Sequence, residues 1–303
     1  MSRRLGLVLL DFDQAPITRR CLLSIAAGDR LPDEIVLVEN GREQVDLTGD
    51  EALAELKVTV LRPGWNTKAA AGRNLAFNHL VRHTDVQRMV MLDNDTVVPS
   101  DFFRLLAERP LQPLEIVAPL VLAMDSGEVQ YAGGAFEPNR LPAIITQWPE
   151  GADRPREVAW APTVALALDR DTWLRAGAFD PWYGFSWEDV DWCYRATQRG
   201  AVIRVVPDLQ VMHEPHQSGG GPFSPERLRQ WARNGTVFLF ETAEVGWRLR
   251  LAWIAGELRS VRRERRAGWK ASAWGRLRGL GQGLLEVGRR RLSRSTPARA
   301  HTP

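Results

Sequence analysis

The sequence predicts an α/β protein: a mostly parallel sheet with helices on both faces, followed by C-terminal amphipathic helices. Three observations carry that expectation. Short continuous apolar runs alternate with helical segments through the first 125 residues, as strands buried on both faces do. Acidic and amide residues stand directly after several of those runs, where open α/β sheets bind ligands. Apolar residues at helical spacing then dominate from Trp247 onward, with arginine filling the other positions.

Taken in order, Leu5–Leu10 reads as a strand that ends at Asp11-Phe12-Asp13, and Thr18–Ala27 as a helix ending near Gly28. Glu34–Val38 and Val58–Leu61 are β-rich runs closed by Asn40-Gly41 and Pro63-Gly64. Asn66–Val81 is helical, Met89–Leu92 a short buried strand, Pro99–Ala107 a helix opened by proline, and Ile116–Ala123 a strand. The middle of the chain has scattered Trp, Gly and Pro, with strands at Thr163–Leu168 and Val202–Val206 and a helix from Pro225. The glycine-rich stretch 213–222 reads as a mobile loop and the last dozen residues as disordered. In the tail, Trp247, Leu251, Ile254, Leu258 and Val261 form one apolar stripe, and Ala273, Leu277, Leu280, Leu284 and Val287 another. These readings divide the chain into 1–123, 124–244 and 245–303.

Composition narrows the class. No run of apolar residues is long enough to span a bilayer as a helix, and the short N-terminal run lacks a cleavage site, so it reads as a strand rather than a signal peptide. Two cysteines, Cys21 and Cys193, exclude a disulfide framework or a cysteine zinc site and fit buried thiols in a cytoplasmic protein. Charge is divided unevenly. From Val245 on, 14 Arg and one Lys face Glu257, Glu264 and Glu286, a net +12. The first 244 residues therefore hold 25 basic and 34 acidic groups, a net −9. A basic amphipathic tail of this kind is expected to make peripheral contact with a membrane through 245–295, or to pack on the acidic remainder. Neither an aromatic–basic sheet nor a helix-turn-helix pattern is present, so nucleic acid is not an expected partner.

Asp-x-Asp occurs at Asp11/Asp13, Asp93/Asp95, Asp169/Asp171 and Asp189/Asp191, so position must decide between them. Asp93/Asp95 follows the most apolar short strand, where two carboxylates suit a hard divalent cation that bridges phosphate oxygens. Ordinary turn chemistry is the alternative for Asp93-Asn94-Asp95-Thr96. Glu188-Asp189 opens a helix amid Trp182, Tyr183, Phe185, Trp187 and Trp192. A helix dipole favours acids there, yet aromatic rings beside carboxylates also make a sugar platform and tune a carboxylate for base work. Asn66 to Asn74 opens a helix carrying Lys68 and Arg73, a setting suited to anions. His213 follows a strand-like run, and no third histidine stands near it and His216 to make a zinc site.

In this order the pieces resemble the family-2 inverting glycosyltransferases of GT-A fold, a Rossmann-like sheet, and especially their bacterial rhamnosyltransferase-like branch. The resemblance runs from Leu5 to about Phe240. It is carried by Val38-Glu39-Asn40-Gly41, Asn66 through Asn74, Leu92-Asp93-Asn94-Asp95, Gly177-Ala178-Phe179-Asp180, Trp187-Glu188-Asp189-Val190-Asp191 with Arg195, Pro207, His213 and Arg233-Asn234. It implies transfer of a sugar from a nucleotide-diphosphate sugar to a hydroxyl of a glycan, lipid-linked or small-molecule acceptor. Residues 1–123 would form the nucleotide-sugar half and 124–244 the acceptor-binding and catalytic half. Glu39 would read the base, with Asn66, Arg73 and Asp93 also on the donor. Asp95 and His213 would hold Mg2+ or Mn2+, Asp189 would be the general base, and Trp187 and Glu188 would line the acceptor. The chain departs from the pattern at Asp11-Phe12-Asp13, where Thr-Tyr-Asn is usual, at Glu39, usually Asp, and at Lys68, usually Gly. An inactive sugar-nucleotide or glycan-binding module is the alternative, but it would be expected to lack Asp95 or Asp189.

Overall fold

The computed structural model describes residues 3–48, 50–136, 142–149, 151–214 and 223–295, with side chains to residue 292. These residues form two compact units, one up to residue 214 and one from residue 223. The charge break that separates 1–244 from 245–303 in the sequence therefore lies beyond the break in packing. Of the loop expected at 213–222, His213 is instead the last residue of a strand and 215–222 lie outside the described residues; of the last dozen residues, expected to be disordered, 292–295 are helical and the final eight lie outside the described residues.

The first unit runs β1 (Leu5–Asp11), α1 (Ala15–Ala26), β2 (Glu34–Glu39), α2 (Glu51–Ala54), β3 (Val58–Leu61), α3 (Lys68–His83), β4 (Arg88–Asp93), β5 (Thr96–Val97), α4 (Phe102–Glu108) and β6 (Glu115–Ala123). It continues with β7 (Val129–Tyr131), β8 (Gly134–Ala135), β9 (Ala143–Ile144), β10 (Arg156–Val158), β11 (Ala165–Asp169), α5 (Arg170–Ala176), α6 (Glu188–Gln198) and β12 (Val202–His213). The main sheet has the order β10-β12-β6-β11-β4-β1-β2-β3, with β5 added on β12 and β7 on β6. The β4-β1-β2-β3 stretch is parallel, as is β12 with β6, while β11 runs antiparallel between β4 and β6. Leu5, Leu7, Leu9, Leu37, Val90 and Leu92 are buried under α1 and α4, in a core shared with Leu22, Ile25 and Phe103.

The parallel register aligns the strand ends. Asp11 pairs with Glu39, and Leu10 with Asp93, so three acids finish adjacent strands on one edge. Both cysteines are buried, free, and pushed up to about 12 by burial, matching the sequence expectation of inert thiols.

The second unit contains α7 (Pro225–Val237), a π-helical turn (Phe238–Thr242), α8 (Trp247–Arg266) and α9 (Lys270–Ser295). Ser224 caps α7 by accepting from the Arg227 N–H. Helix α9 approaches α7 through Gly275, Gly279 and Gly283, where an added Cβ would collide with the carbonyl oxygens of Pro225, Arg229 and Arg233. Arg276 of α9 is buried between two glutamates of α8, Glu257 at 2.8 Å and Glu264 at 2.7 Å.

The helical stripes expected for the tail are only partly the buried faces. Helix α8 buries Leu249, Trp253, Glu257, Val261 and Glu264, and leaves Trp247, Leu251 and Leu258 in solvent. Helix α9 buries Ala273, Leu280 and Val287 but exposes Leu277 and Leu284. The polar triad around Arg276 and the glycine row set the packing faces, and hydrophobic periodicity alone does not register either feature.

Candidate active site

The turn Asp93-Asn94-Asp95-Thr96 is fixed from inside. Thr96 Oγ1 donates to the Asp93 carbonyl oxygen at 2.7 Å. Asn94 Nδ2 donates to Thr18 Oγ1 at 2.8 Å, and Thr18 Oγ1 donates to Asp11 Oδ1 at 2.5 Å. Asp11 is fully buried, and burial raises its pKa. Strand β5 leaves the turn and pairs antiparallel with the end of β12, so that His213 stands opposite Thr96. The Glu214 N–H then donates to the Asp95 carbonyl oxygen at 3.1 Å.

That pairing assembles a cluster. Ligand-type atoms of Asp93, Asp95 and His213 all lie within 4.8 Å of one another. His213 Nε2 is 3.3 Å from Asp95 Oδ1, a buried oxygen without a well-formed hydrogen bond. The other ring nitrogen, Nδ1, is 2.7 Å from Oε1 of Gln130 on β7. An amide oxygen only accepts, so Nδ1 carries a proton, and Nε2 is the ring nitrogen that faces Asp95. Burial opposes charge on His213, but Asp95 and Asp93 outweigh it and raise its pKa.

Arg73 ties this cluster to the opening of α6. Its guanidinium is buried and donates to Asp93 Oδ1 at 2.8 Å and to Glu188 Oε1 at 3.0 Å. Desolvation pushes Glu188 up to about 7 and Asp189 up to about 6, with the like charge of Asp189 also raising Glu188. Asp189 Oδ1 accepts from the Val190 N–H at 2.8 Å, and the side chain keeps partial exposure. Two consecutive left-handed residues, Ser186 (φ 66) and Trp187 (φ 69), aim this helix start. Non-glycine residues adopt such angles only where the surroundings enforce them. Asp191 turns the other way and pairs with Arg195 at 2.8 Å, the i,i+4 partner expected from helix geometry.

The aromatic run is largely core. Tyr183, Trp187 and Trp192 are buried, and Trp192 stacks on Phe179 with ring centroids 5.0 Å apart. Trp187, expected to line the acceptor, is 3% exposed; its ring serves the packing behind the helix start rather than an open wall.

On the β2 side, Glu39 is buried, with Oε1 accepting from the Val45 N–H at 2.8 Å and Oε2 2.6 Å from Arg62 Nε. Asn40 accepts from the Thr67 hydroxyl at 2.5 Å and from its N–H at 3.2 Å. Asn66 Oδ1 accepts from the Lys68 N–H at 2.8 Å. Lys68 has φ 64, which accounts physically for glycine being usual at this position. Asp13, also left-handed, accepts from the Arg42 and Glu43 N–H groups at 2.5 and 3.0 Å and shapes the loop after β2. The structure thus brings Asp93, Asp95 and His213 together and joins Arg73 and Glu188 to them. Glu39 and Asn66 form a second group with Asn40 and Thr67. Gln130 was not singled out in the sequence: a lone glutamine between Val129 and Tyr131 carries no local signal. Asn40 was quoted there only as part of a motif.

Comparison with known proteins agrees with this geometry. The family model described as Glycosyl transferase family 2 matches residues 12–165, and that described as Glycosyl transferase family group 2 matches residues 89–284. No curated protein matches the sequence. Among solved structures, one described as GalNAc-T7 with UDP, GalNAc and Mn2+ is 19% identical with a TM-score of 0.60, covering 80% of this chain and 49% of that one. The mannosyltransferase PcManGT from Pyrobaculum calidifontis, in complex with GDP-Man and Mn2+, is 14% identical with a TM-score of 0.56, covering 98% and 82%. TarS of S. aureus is 14% identical with a TM-score of 0.52, covering 84% and 42%. The chain thus spans about half the length of the first of these and less of TarS. At these identities the likeness is one of fold, and the fold is the GT-A arrangement expected from the sequence. Two family models that together run from residue 12 to residue 284 place the chain in glycosyl transferase family 2.

Proposed function

We propose that the chain is an inverting, metal-dependent glycosyltransferase that moves a sugar from a nucleotide-diphosphate donor to an acceptor hydroxyl. One observation carries the reading: the Asp93–Asp95–His213 cluster is joined through a single buried guanidinium to the Glu188-Asp189 helix start. Two carboxylates and an imidazole suit Mg2+ or Mn2+. The buried, poorly satisfied Asp95 Oδ1 and the His213 Nε2 that faces it at 3.3 Å fit a cation as third partner. When bound, such a cation would offset the charge that develops on the departing diphosphate.

The remaining roles belong to the side chains. Asp189, whose pKa burial raises to about 6, accepts in its carboxylate form the proton of the attacking hydroxyl. A single displacement with one base inverts the anomeric centre. Arg73 keeps Glu188 and Asp93 in register and is itself too buried to close on a donor. Glu39, positioned by Arg62 and Val45, faces the donor base, and Asn66 orders the turn before α3 that would meet donor phosphates. The setting is cytoplasmic, the acceptor a glycan, lipid-linked glycan or metabolite, and nucleic acid is not a partner. GalNAc-T7 and PcManGT, whose structures hold Mn2+ with UDP and GalNAc or with GDP-Man, support a nucleotide-sugar donor and a divalent cation.

A panel of nucleotide sugars with Mg2+ or Mn2+, read by nucleotide release, tests the reading. Release should require the metal and fall in Asp95→Ala and His213→Ala. Full turnover in excess chelator would remove the cation from the proposal. Tight donor binding with no release toward any acceptor would favour a binding module.

A further inference from the structure

The outward surface of the α8–α9 hairpin carries large apolar side chains that stay exposed. On α8 these are Trp247, Leu251 and Leu258; on α9 they are Trp274, Leu277, Leu284 and Leu285, all between four-tenths and seven-tenths exposed. Their spacing is helical, so each set forms one row. The hairpin turns at Gly268 (φ 83), and Arg276 pairs back to Glu257 and Glu264, which sets α8 and α9 antiparallel. The outward row centres about 110° around from Glu257 and Glu264 on α8, and, with Leu277 and Leu284 included, about 130° around from Arg276 on α9, in the same rotational sense. In an antiparallel pair, similar offsets of the same sense point to one side. The two rows therefore share a face.

Charge on this hairpin is as one-sided as its apolar surface. All three acids after Val245 are engaged internally: Glu257 and Glu264 with Arg276, and Glu286 with Arg290. Arg259, Arg262, Arg265, Arg266, Arg278 and Arg289 are exposed, and none has an ion pair among the described residues. By helical spacing Arg259, Arg266 and Arg289 flank the apolar rows, and Arg262, Arg265 and Arg278 stand in line with them. No described helix is long and apolar enough to cross a membrane.

We infer that this face is a docking surface for an anionic lipid bilayer, with α8 and α9 lying in the plane of the interface. Trp and Leu rows enter the boundary of the acyl chains, and the guanidinium groups meet lipid phosphates while their stems cover apolar surface. A nucleic acid would leave the Trp and Leu rows against water or phosphate. A second copy or an acidic protein would have to cover the rows and match the unpaired arginines at once; the bilayer does both with one chemistry. This inference stands independently of the sugar-transfer reading.

Flotation of the full chain with vesicles of phosphatidylglycerol and phosphatidylcholine, against phosphatidylcholine alone, tests it. The chain should float only with the anionic vesicles, and less at high salt. Trp247→Ser/Trp274→Ser/Leu285→Ser and Arg259→Gln/Arg262→Gln/Arg265→Gln/Arg266→Gln should each lower partition by at least ~10-fold. Because all seven side chains are exposed, melting temperature should hold in both variants. A chain that stays in the soluble fraction overturns the inference, as does flotation that both variants retain. A concentration-dependent dimer abolished by the same substitutions, without vesicle binding, would assign the face to a second copy instead.

Discussion

Gln130 Oε1 lies 2.7 Å from His213 Nδ1 and so decides which nitrogen of the ring faces Asp95. Gln130→Leu should leave the fold intact and weaken metal-supported activity by ~10–100-fold, the usual cost of losing a partner behind a metal-bound histidine. Raised Mn2+ should restore part of the loss. Isothermal titration with Mn2+ checks this; unchanged affinity in Gln130→Leu would show that the ring needs no such orientation.

Asp189 and Asp191 separate function from packing. Asp189→Asn should retain donor binding and lose ~10²–10⁴-fold in transfer, since an amide accepts no proton. Asp191 is buried against Arg195, so Asp191→Asn should lower the melting temperature and cost far less turnover. Single-turnover transfer beside thermal unfolding reads both, and the reverse pattern would place the base on Asp191.

The poor solvation of Asp189 also sets a pH dependence. With its pKa near 6, kcat/KM should rise with pH through about 6 and level above it. Stability runs the other way. A carboxyl raised in the fold holds its proton where the unfolded chain releases it, so its contribution is present at low pH and is lost as pH climbs past 6. Asp189→Asn should therefore melt higher than the parent at neutral pH, with the difference closing toward pH ~4. A pH-independent gap between the two melting curves would contradict this account.

Arg73 should tolerate no shortening. Arg73→Met leaves the buried Glu188 unpaired and Asp93 with one partner fewer, and breaking a buried pair from one side costs about 3–5 kcal/mol. Arg73→Lys keeps the charge but cannot fork to two carboxylates. Chemical denaturation should show both variants destabilised, Met more than Lys.

The seam between α7 and α9 predicts an intolerance of its own. Gly279→Ala puts a methyl group against the Arg229 carbonyl oxygen, whereas Gly281→Ala meets open space. Overpacking of this kind costs about 1–3 kcal/mol, while the exposed change should stabilise slightly through helix propensity. Comparing the two melting curves is enough to decide.

Strands were legible wherever the chain is buried on both faces. Leu5–Leu10 and Met89–Leu92 are continuous apolar runs and appear as β1 and β4 almost to the residue. Strand β12 was read only as Val202–Val206, yet it reaches His213. Its second half alternates buried and exposed residues behind Pro207 and a register shift between Val206 and Gln210, which breaks the apolar run. Asp93, Asp95 and Asp189 could be picked out because strand ends and helix starts are local features. Gln130 and the double grip of Arg73 could not, because both depend on which distant strands become neighbours. The aromatic residues around Asp189 misled for a related reason: ring spacing along a chain does not distinguish a platform from a core, and Trp187 and Trp192 are core.

The two-residue pairing of β5 with the end of β12 also bears on synthesis. Asp95 is made early, but its partner His213 is the last residue of the last strand in the sheet. Until residue 213 has left the ribosome and β12 has zipped along β6, a nascent chain holds two carboxylates and no imidazole. Such an intermediate would bind divalent ions only weakly, and a fragment truncated before His213 could carry the base, the guanidinium bridge and most of the sheet without a complete metal set. Under the proposed reading, a complete metal set would thus arrive late in translation, once His213 has paired opposite Thr96.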